Sequence, residues 1–384
     1  MTAGQFPRAQ CAVAGAATFG VGECPGHSAM EIAMHAALNA LDDAGLAVGD
    51  VDAVFGCLPG DLFAGLSFAE YLGINPRFTD NNRTGGSSFM SHLVTACHGI
   101  AAGAFDTALI AYGSNQRSGG GWLSTPAGWN EWDAMAGGIF PVSAYALAAA
   151  RHMHEYGTTR EQLAEVAVAA RQWAAGNPEA FMRDPLTIRQ CLDARIISSP
   201  LGKFDCCLVT DGGAALVVTS TERARDLKRP PVPVLGAAAA TWYNSISQSG
   251  DLTTTAAAES GPRAYRSAGI GPADVDVVQL YDAFTINTIL FLEDLGFCAK
   301  GEGGPFVADG GIAPGGRLAV NTNGGGLSFG HPGMYGLFAM TEAVRQIRGE
   351  GANDFGTVDI ALAHANGGTL SSQASVVLGS MATA

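Results

Sequence analysis

The stretches 'AGLAVGDVDAV' (residues 44–54) and 'AGIGPADVDVV' (residues 268–278) have one length and nearly one pattern. Each closes a helical stretch, turns through glycine and enters a β-branched run. A turn rich in Asn and Gly follows each, 'NNRTGGSS' at 81–88 and 'NTNGGGLS' at 321–328, and opens onto a further helix. Self-similarity on this scale marks a duplicated unit. The segment 'TERARDLKRPPVP' at 221–233 supplies charge and prolines between the copies. The organisation expected is therefore a first half over 1–225, with an inserted loop region at about 115–200, and a second half over 226–384.

Outward from the repeat, apolar residues recur with helical period over 30–44, 91–102, 160–173 and 336–348. Short apolar or β-branched runs alternate with them at 51–55, 107–111, 214–219, 275–280 and 358–363. The alternation predicts an α/β fold, a largely parallel sheet with helices on both faces.

The 384 residues are 47% hydrophobic and 15% charged, enough apolar material for a large core. No apolar run approaches the roughly 20 residues a spanning helix needs. The start, 'MTAGQFPRAQ', lacks a signal-peptide pattern, so a cytoplasmic protein is expected. A net charge of −14 argues against nucleic-acid and membrane partners. Eight cysteines without C-x-x-C spacing point to reduced thiols rather than disulfides or zinc. His152 and His154, at i, i+2 on a helical pattern, do not share a face, and no metal is expected.

Four longer segments carry a family resemblance: 'SPLGKFDCCLVTDGGAALVVTS' (199–220), 'VQLYDAFTINTILFLEDLGFCAKGEGGPFV' (278–307), 'GGRLAVNTNGGGLSFGHPGMYG' (315–336) and 'ALAHANGG' (361–368). Together they resemble the thiolase superfamily over essentially the whole chain. The resemblance implies the thiolase fold, two βαβαβαββ halves stacked as five layers, α-β-α-β-α. It departs from true thiolases where their chemistry sits. The nucleophilic cysteine would fall at or beside Gly86 in 'RTGGSSF', and no cysteine is there; the second cysteine's place is filled near Ala365, beside His364. Tyr281 replaces the Asn or His of the third motif, while the His of Gly-His-Pro is retained as His331.

This pattern is similar to the nucleophile-free, lipid-transfer-protein-like aldolases of steroid side-chain degradation. In those enzymes a second tyrosine aligns with His331. A thiolase needs an activated thiolate, whereas retro-aldol cleavage of a β-hydroxy thioester needs only a base for the hydroxyl proton and donors for the enolate oxygen. The resemblance thus implies a carbon–carbon lyase acting on a β-hydroxyacyl-CoA. Ser87 and Ser88 sit beside position 86, but an unactivated hydroxyl is a poor nucleophile; the alternatives are a thiolase or acyltransferase with an unconventional nucleophile, or a non-catalytic acyl-CoA-binding subunit. Loss of activity on alkylation with iodoacetamide would separate the first two.

The expected catalytic residues are Tyr281 as base, its phenol lowered by a neighbour, His331 as enolate stabiliser, and His364 and Asp282. The expected acyl-CoA-binding positions are Gly86, Ser87, Asn323, Gly325, Gly326, Asn366 and Gly367. Asn366, or a backbone N–H at Gly325–Gly326, is the expected helper of His331. Coenzyme A enters as substrate, and no tightly bound cofactor is expected. The resemblance further implies a homodimer, with runs such as 107–111 suited to the interface, and a small OB-fold and zinc-ribbon partner completing a heterotetramer.

Overall fold

Strand and helix alternate from the start. β1 (Cys11–Gly22) leads into α1 (Ala29–Ala44), whose first turn is closed reciprocally by Ser28 and Glu31. β2 (Ala53–Cys57), α2 (Ala64–Leu72), β3 (Phe78–Asp80), α3 (Ser88–Ala101) and β4 (Thr107–Ser114) follow. An inserted region carries α4 (Glu131–Ala134), α5 (Val142–Tyr156), α6 (Arg160–Ala175), α7 (Ile188–Asp193) and a hairpin of β5 (Ile196–Ser198) with β6 (Leu201–Gly202). β7 (Asp211–Ser220) and α8 (Thr221–Ala224) then close the first half. The second half runs β8 (Val232–Thr241), α9 (Ala257–Ala268), β9 (Val277–Leu280), α10 (Thr285–Asp294), α11 (Gly303–Val307), β10 (Ala319–Val320), α12 (Gly336–Ile347), β11 (Ile360–Gly367) and β12 (Ser372–Gly379). The computed structural model describes residues 6–121, 131–353 and 355–384. Residues 1–5, where the reading of the N-terminal stretch begins, and 122–130 of the inserted region lie outside the described residues.

The quoted repeat is one local structure built twice. α1 ends on Gly45 and α9 on Gly269, both at φ 73° and ψ 31°, the left-handed cap that glycine adopts without a Cβ penalty. Asp50 accepts from the Ala47 N–H and Asp274 from the Gly271 N–H, each at 2.8 Å, tightening a short helical turn before β2 and β9.

The strands hydrogen-bond in the order β10-β9-β11-β12-β8-β1-β7-β4-β2-β3. Read from either outer edge inward, the halves show the same order and the same pairing senses, and they meet where β1 and β8 pair. Here the structure corrects the expected largely parallel sheet. Parallel pairing is confined to β2 with β3 and β4 and to β9 with β10 and β11; β4 with β7, β11 with β12 and the central strands are antiparallel. The cause is the closing βαββ of each half, whose last two strands join without a crossover helix; in the first half the inserted region takes its place.

α1 covers the outer face of the first half's strands and α9 that of the second. α3 and α12 pack between the halves, each touching strands of both, and so complete the α-β-α-β-α layers. Buried β4 lies inside the sheet between β7 and β2, so residues 107–111 are core and not an interface. All eight cysteines are free. Among the described residues no helix is long and apolar enough to cross a membrane, and no group of His, Cys, Asp and Glu is placed to hold a metal ion.

Candidate active site

The turn after the first copy of the repeat and the loop that follows the turn after the second copy meet at a cavity of about 300 Å³. Its floor is backbone, from Gly85 and Gly86 ahead of α3 and from Gly367 and Gly368 at the end of β11. Tyr281, directly after β9, and His331, in the loop before α12, form one wall. The inserted region closes over them with Phe140, Val142, Tyr145 and Ile197. Phe284 stacks on Tyr145 with centroids 4.3 Å apart, so the lining is mostly apolar with a few convergent polar groups, the usual build of a small-molecule site.

One close approach fixes what chemistry is possible. A methyl group at Gly86 would lie 2.0 Å from Tyr281 Cε2 and 2.8 Å from the Asn366 carbonyl oxygen. The Tyr281 ring therefore occupies the space that a side chain at position 86 would need. Ser87, next along, is fully buried, and its hydroxyl donates to the Thr84 carbonyl or to Ser372 Oγ. It does not line the cavity, which removes it both as a nucleophile and as a binding position.

Tyr281 Oη lies 3.1 Å from His331 Nε2 and 3.3 Å from the Gly333 carbonyl, so its one proton has two acceptors in reach. Burial pushes the phenol well above its ordinary pKa, and the neighbouring Tyr145, Cys207 and Tyr112 add to this. The expected lowering of the phenol is thus corrected: a standing phenolate is disfavoured here. Burial also depresses His331, to about 4, so the ring is neutral at physiological pH. Its backbone is pinned at both ends, the N–H donating to Thr210 Oγ1 and the carbonyl accepting from Gln116 Nε2 at 2.7 Å.

The remaining expected residues divide cleanly. Asn366 and Gly367 line the cavity with Gly86, Tyr281 and His331. Asp282 does not. Fully buried, it accepts from the Gly326 N–H at 2.6 Å and the Leu327 N–H at 3.3 Å, and burial raises its pKa to about 7. Asn323 Oδ1 accepts from the Gly325 N–H and from Tyr335 Oη. Asn323, Asp282, Gly325 and Gly326 thus build the turn that carries His331, and the backbone N–H groups expected to help it are already spent. His364 alternates away from Ala365 on β11, with Nδ1 on Ser375 Oγ and Nε2 on Gln373 Oε1, outside the cavity. Sequence reasoning missed Tyr145, Phe284, Gln116 and the cavity-facing Cys206 and Cys207. Tyr145 and Gln116 fall in the inserted region, which has no counterpart in the repeat. The 'CC' pair could have been noticed, because it immediately precedes the loop into β7.

A family model described as Thiolase C-terminal domain-like matches residues 238–380. A steroid side-chain-cleaving aldolase from Thermomonospora curvata is 36% identical, covering 93% of this chain and 95% of that protein. The chain belongs to the thiolase superfamily. Within it, an acetyl-CoA acetyltransferase from Methanothermobacter thermautotrophicus is 34% identical, covering 93% of this chain and 96% of the relative. A 17-hydroxy-3-oxo-4-pregnene-20-carboxyl-CoA lyase from Mycobacterium tuberculosis is 35% identical, covering 94% and 97%. The solved Ltp2-ChsH2(DUF35) aldolase superposes with a TM-score of 0.87 at 34% identity, covering 98% of this chain and 99% of that one. This thiolase-superfamily chain therefore has both lyases and acyltransferases among its relatives, and the wall around Gly86 bears on the choice between them.

Proposed function

We propose that the chain is an acyl-CoA aldolase that splits a β-hydroxyacyl-CoA into a carbonyl compound and a shorter acyl-CoA, the acyl part being a steroid side-chain acid or a similar bulky acid. The observation that carries this is the Tyr281 ring standing in the space of a side chain at position 86, hydrogen-bonded to His331. Names of relatives that cleave steroid side chains or a pregnene-carboxyl-CoA support it. The apolar walls of Phe140, Tyr145, Phe284 and Ile197 suit a ring-bearing acyl group.

Because the phenol is raised and the imidazole neutral, the two act as a relay. His331 keeps its proton on the nitrogen turned to its own carbonyl, and Nε2 accepts. The substrate hydroxyl gives its proton to Tyr281 Oη as the Tyr281 proton moves to His331 Nε2. Electrons of the O–H bond form the carbonyl, the Cα–Cβ bond breaks, and its pair moves into the thioester as an enolate. The imidazolium formed is held by that enolate's charge in a site sheltered from water. Return of the proton to Cα restores the pair and leaves a shorter acyl-CoA. The reaction needs no resident cofactor, only coenzyme A as part of the substrate.

The acyltransferase reading needs a thiolate. Cys206 is pushed up to about 12 and Cys207 higher still, chiefly by burial, so both are poor nucleophiles at neutral pH. Both line the cavity but are held protonated, so they react sluggishly with iodoacetamide, and Cys206→Ala and Cys207→Ala are the discriminating variants.

In the cytoplasm, where we place it, the chain acts as a homodimer joined through the β3 edge and pairs with a small DUF35-type subunit, as the likeness to the Ltp2-ChsH2(DUF35) aldolase suggests. Trp132, Met135 and Ile139 are exposed on the inserted region just before cavity-lining Phe140, where such a subunit would complete the acyl-CoA channel. Mass spectrometry after offering matched β-hydroxy and β-keto acyl-CoA panels, with and without that subunit, tests the proposal. Cleavage of the β-hydroxy members without free coenzyme A as co-substrate is expected. Thiolysis of the β-keto members would refute it.

A further inference from the structure

Behind the cavity a line of buried polar side chains runs from the second half into the inserted region. His364 Nε2 meets Gln373 Oε1 at 3.0 Å, Gln373 Nε2 donates to Asn366 Oδ1 at 2.8 Å, Asn366 Nδ2 donates to Tyr145 Oη at 2.8 Å, and Tyr145 Oη donates to the Gly368 carbonyl at 3.2 Å. Beyond His364, Nδ1 meets Ser375 Oγ at 2.9 Å. Amides and a neutral imidazole each offer a donor on one side and an acceptor on the other, so such a chain can run in only two senses, with every member reversing together. In the sense described, Nε2 of His364 carries the proton and Tyr145 keeps its own for Gly368. In the opposite sense Tyr145 must donate to Asn366 Oδ1, and the Gly368 carbonyl loses that bond. The first sense satisfies one more buried group, which favours it. It also turns the Asn366 amide N–H side, and not its carbonyl, toward the cavity wall that Asn366 and Tyr145 share.

We propose that Gln373, which does not line the cavity, is a positioning residue for the acyl site: it holds Asn366, with Tyr145 as the acceptor of one amide N–H, so that the other Asn366 N–H is presented to the thioester oxygen as it gains enolate charge. The assignment rests on the lyase reading for its chemistry, but its geometry can be tested apart from it. Gln373 sits on β12, fully buried, paired with Asn366 on β11 and Ala240 on β8. His364 is the only ionisable neighbour bonded to it among the described residues, and burial depresses that imidazole to about 3, so it is neutral. Tyr145, with Cys207 and Tyr243 near it, is held protonated by burial, which raises all three, and Tyr281 beyond it is raised too.

Gln373→Glu is the test. At neutral pH the introduced carboxylate cannot donate to Asn366 Oδ1; it accepts from His364 and from the Asn366 amide, which turns and leaves its carbonyl facing Tyr145. Loss of an oxyanion donor predicts that kcat falls roughly 10²-fold with KM changed little. Below the pKa of the introduced carboxyl, its O–H donates to Asn366 again, and kcat recovers toward wild type. Gln373→Leu is expected to be low at every pH. Asn366→Asp keeps the bond from Gln373 but replaces the cavity donor, and repeats the neutral-pH loss with recovery in acid. A loss in Gln373→Glu that is independent of pH, or no loss, overturns the proposal. A crystal structure of Gln373→Glu at neutral pH reads the same point without turnover. Separation of Tyr145 Oη from the Gly368 carbonyl is expected, and an unchanged bond overturns the proposal. If that bond breaks while wild type cleaves no β-hydroxyacyl-CoA, the lyase reading falls and the positioning role stands.

Discussion

The contact between Gly86 and Tyr281 ties two sequence departures into one cause. Without a side chain at 86 the tyrosine ring can enter, and with the ring in place a side chain cannot return. Gly86→Cys is therefore expected to displace Tyr281, destabilise the protein by about 1–3 kcal/mol as overpacking does, and abolish aldol cleavage without creating efficient thiolysis. Steady-state assays of both reactions with a denaturation curve check this, and robust thiolysis would contradict it. Tyr281→Phe keeps the ring and removes the relay atom. Cleavage should fall roughly 10²–10⁴-fold with the fold and acyl-CoA binding retained, and a variant within a few-fold of wild type would exclude the relay. Both departures were legible in the sequence as single letters, but their mutual exclusion was not, because residues 86 and 281 are neighbours only after the halves fold together. The same limit misassigned Asp282, Asn323 and His364: the motifs showed that they stand near the chemistry, not which way each side chain points from its turn or strand.

Helices and the duplicated unit were readable because period and caps are local. α1, α6 and α12 begin within a residue of the apolar pattern that announced them, and α3 three residues before it. Strand partners depend on residues far apart in sequence, so the antiparallel pairings and the burial of β4 were not readable. The inserted region has neither repeat nor motif, and Tyr145 went unseen with it. The paired caps allow a controlled measurement of what a repeated element costs in different surroundings. Gly269→Ala adds a methyl with nothing within 4 Å, so it should cost only the left-handed conformation, about 1 kcal/mol. Gly45→Ala adds the same strain plus a contact 2.8 Å from Lys228 Cβ, and should cost more. Urea unfolding of the two variants checks the order, and equal costs would show that Lys228 moves aside freely.

At the scale of the whole molecule, burial couples charge to stability. His92, deep in α3, is depressed to about 4, chiefly by burial, with Asp80 pulling it partly back. The unfolded chain therefore binds a proton there that the folded chain refuses. Its contribution is complete above the ordinary value of 6.5 and is lost as pH falls toward 4. His92→Leu should flatten the fall of stability between those limits by about 1.4 kcal/mol per pH unit, read from denaturation curves across pH, and an unchanged slope would refute it. Among the described residues β3 pairs only with β2, leaving its other backbone edge without a partner strand, and beside it Leu62, Phe63, Leu66, Tyr71 and Phe78 are 37–77% exposed. Open strand edges and contiguous apolar surface are both liabilities in a free monomer. At the opposite end of the sheet β10 spans only Ala319–Val320, and Val320 is 2% exposed, so the first half's edge is the one that asks for a cover. A second copy across a two-fold axis would pair β3 with β3 and bury the same patch twice. Light scattering should give twice the chain mass for wild type. Phe63→Glu with Leu66→Arg, remote from the cavity, should give one chain mass with little change in the thermal transition of the monomer's core. A wild type of one chain mass would refute the dimer, and a double variant that stays dimeric would place the interface elsewhere.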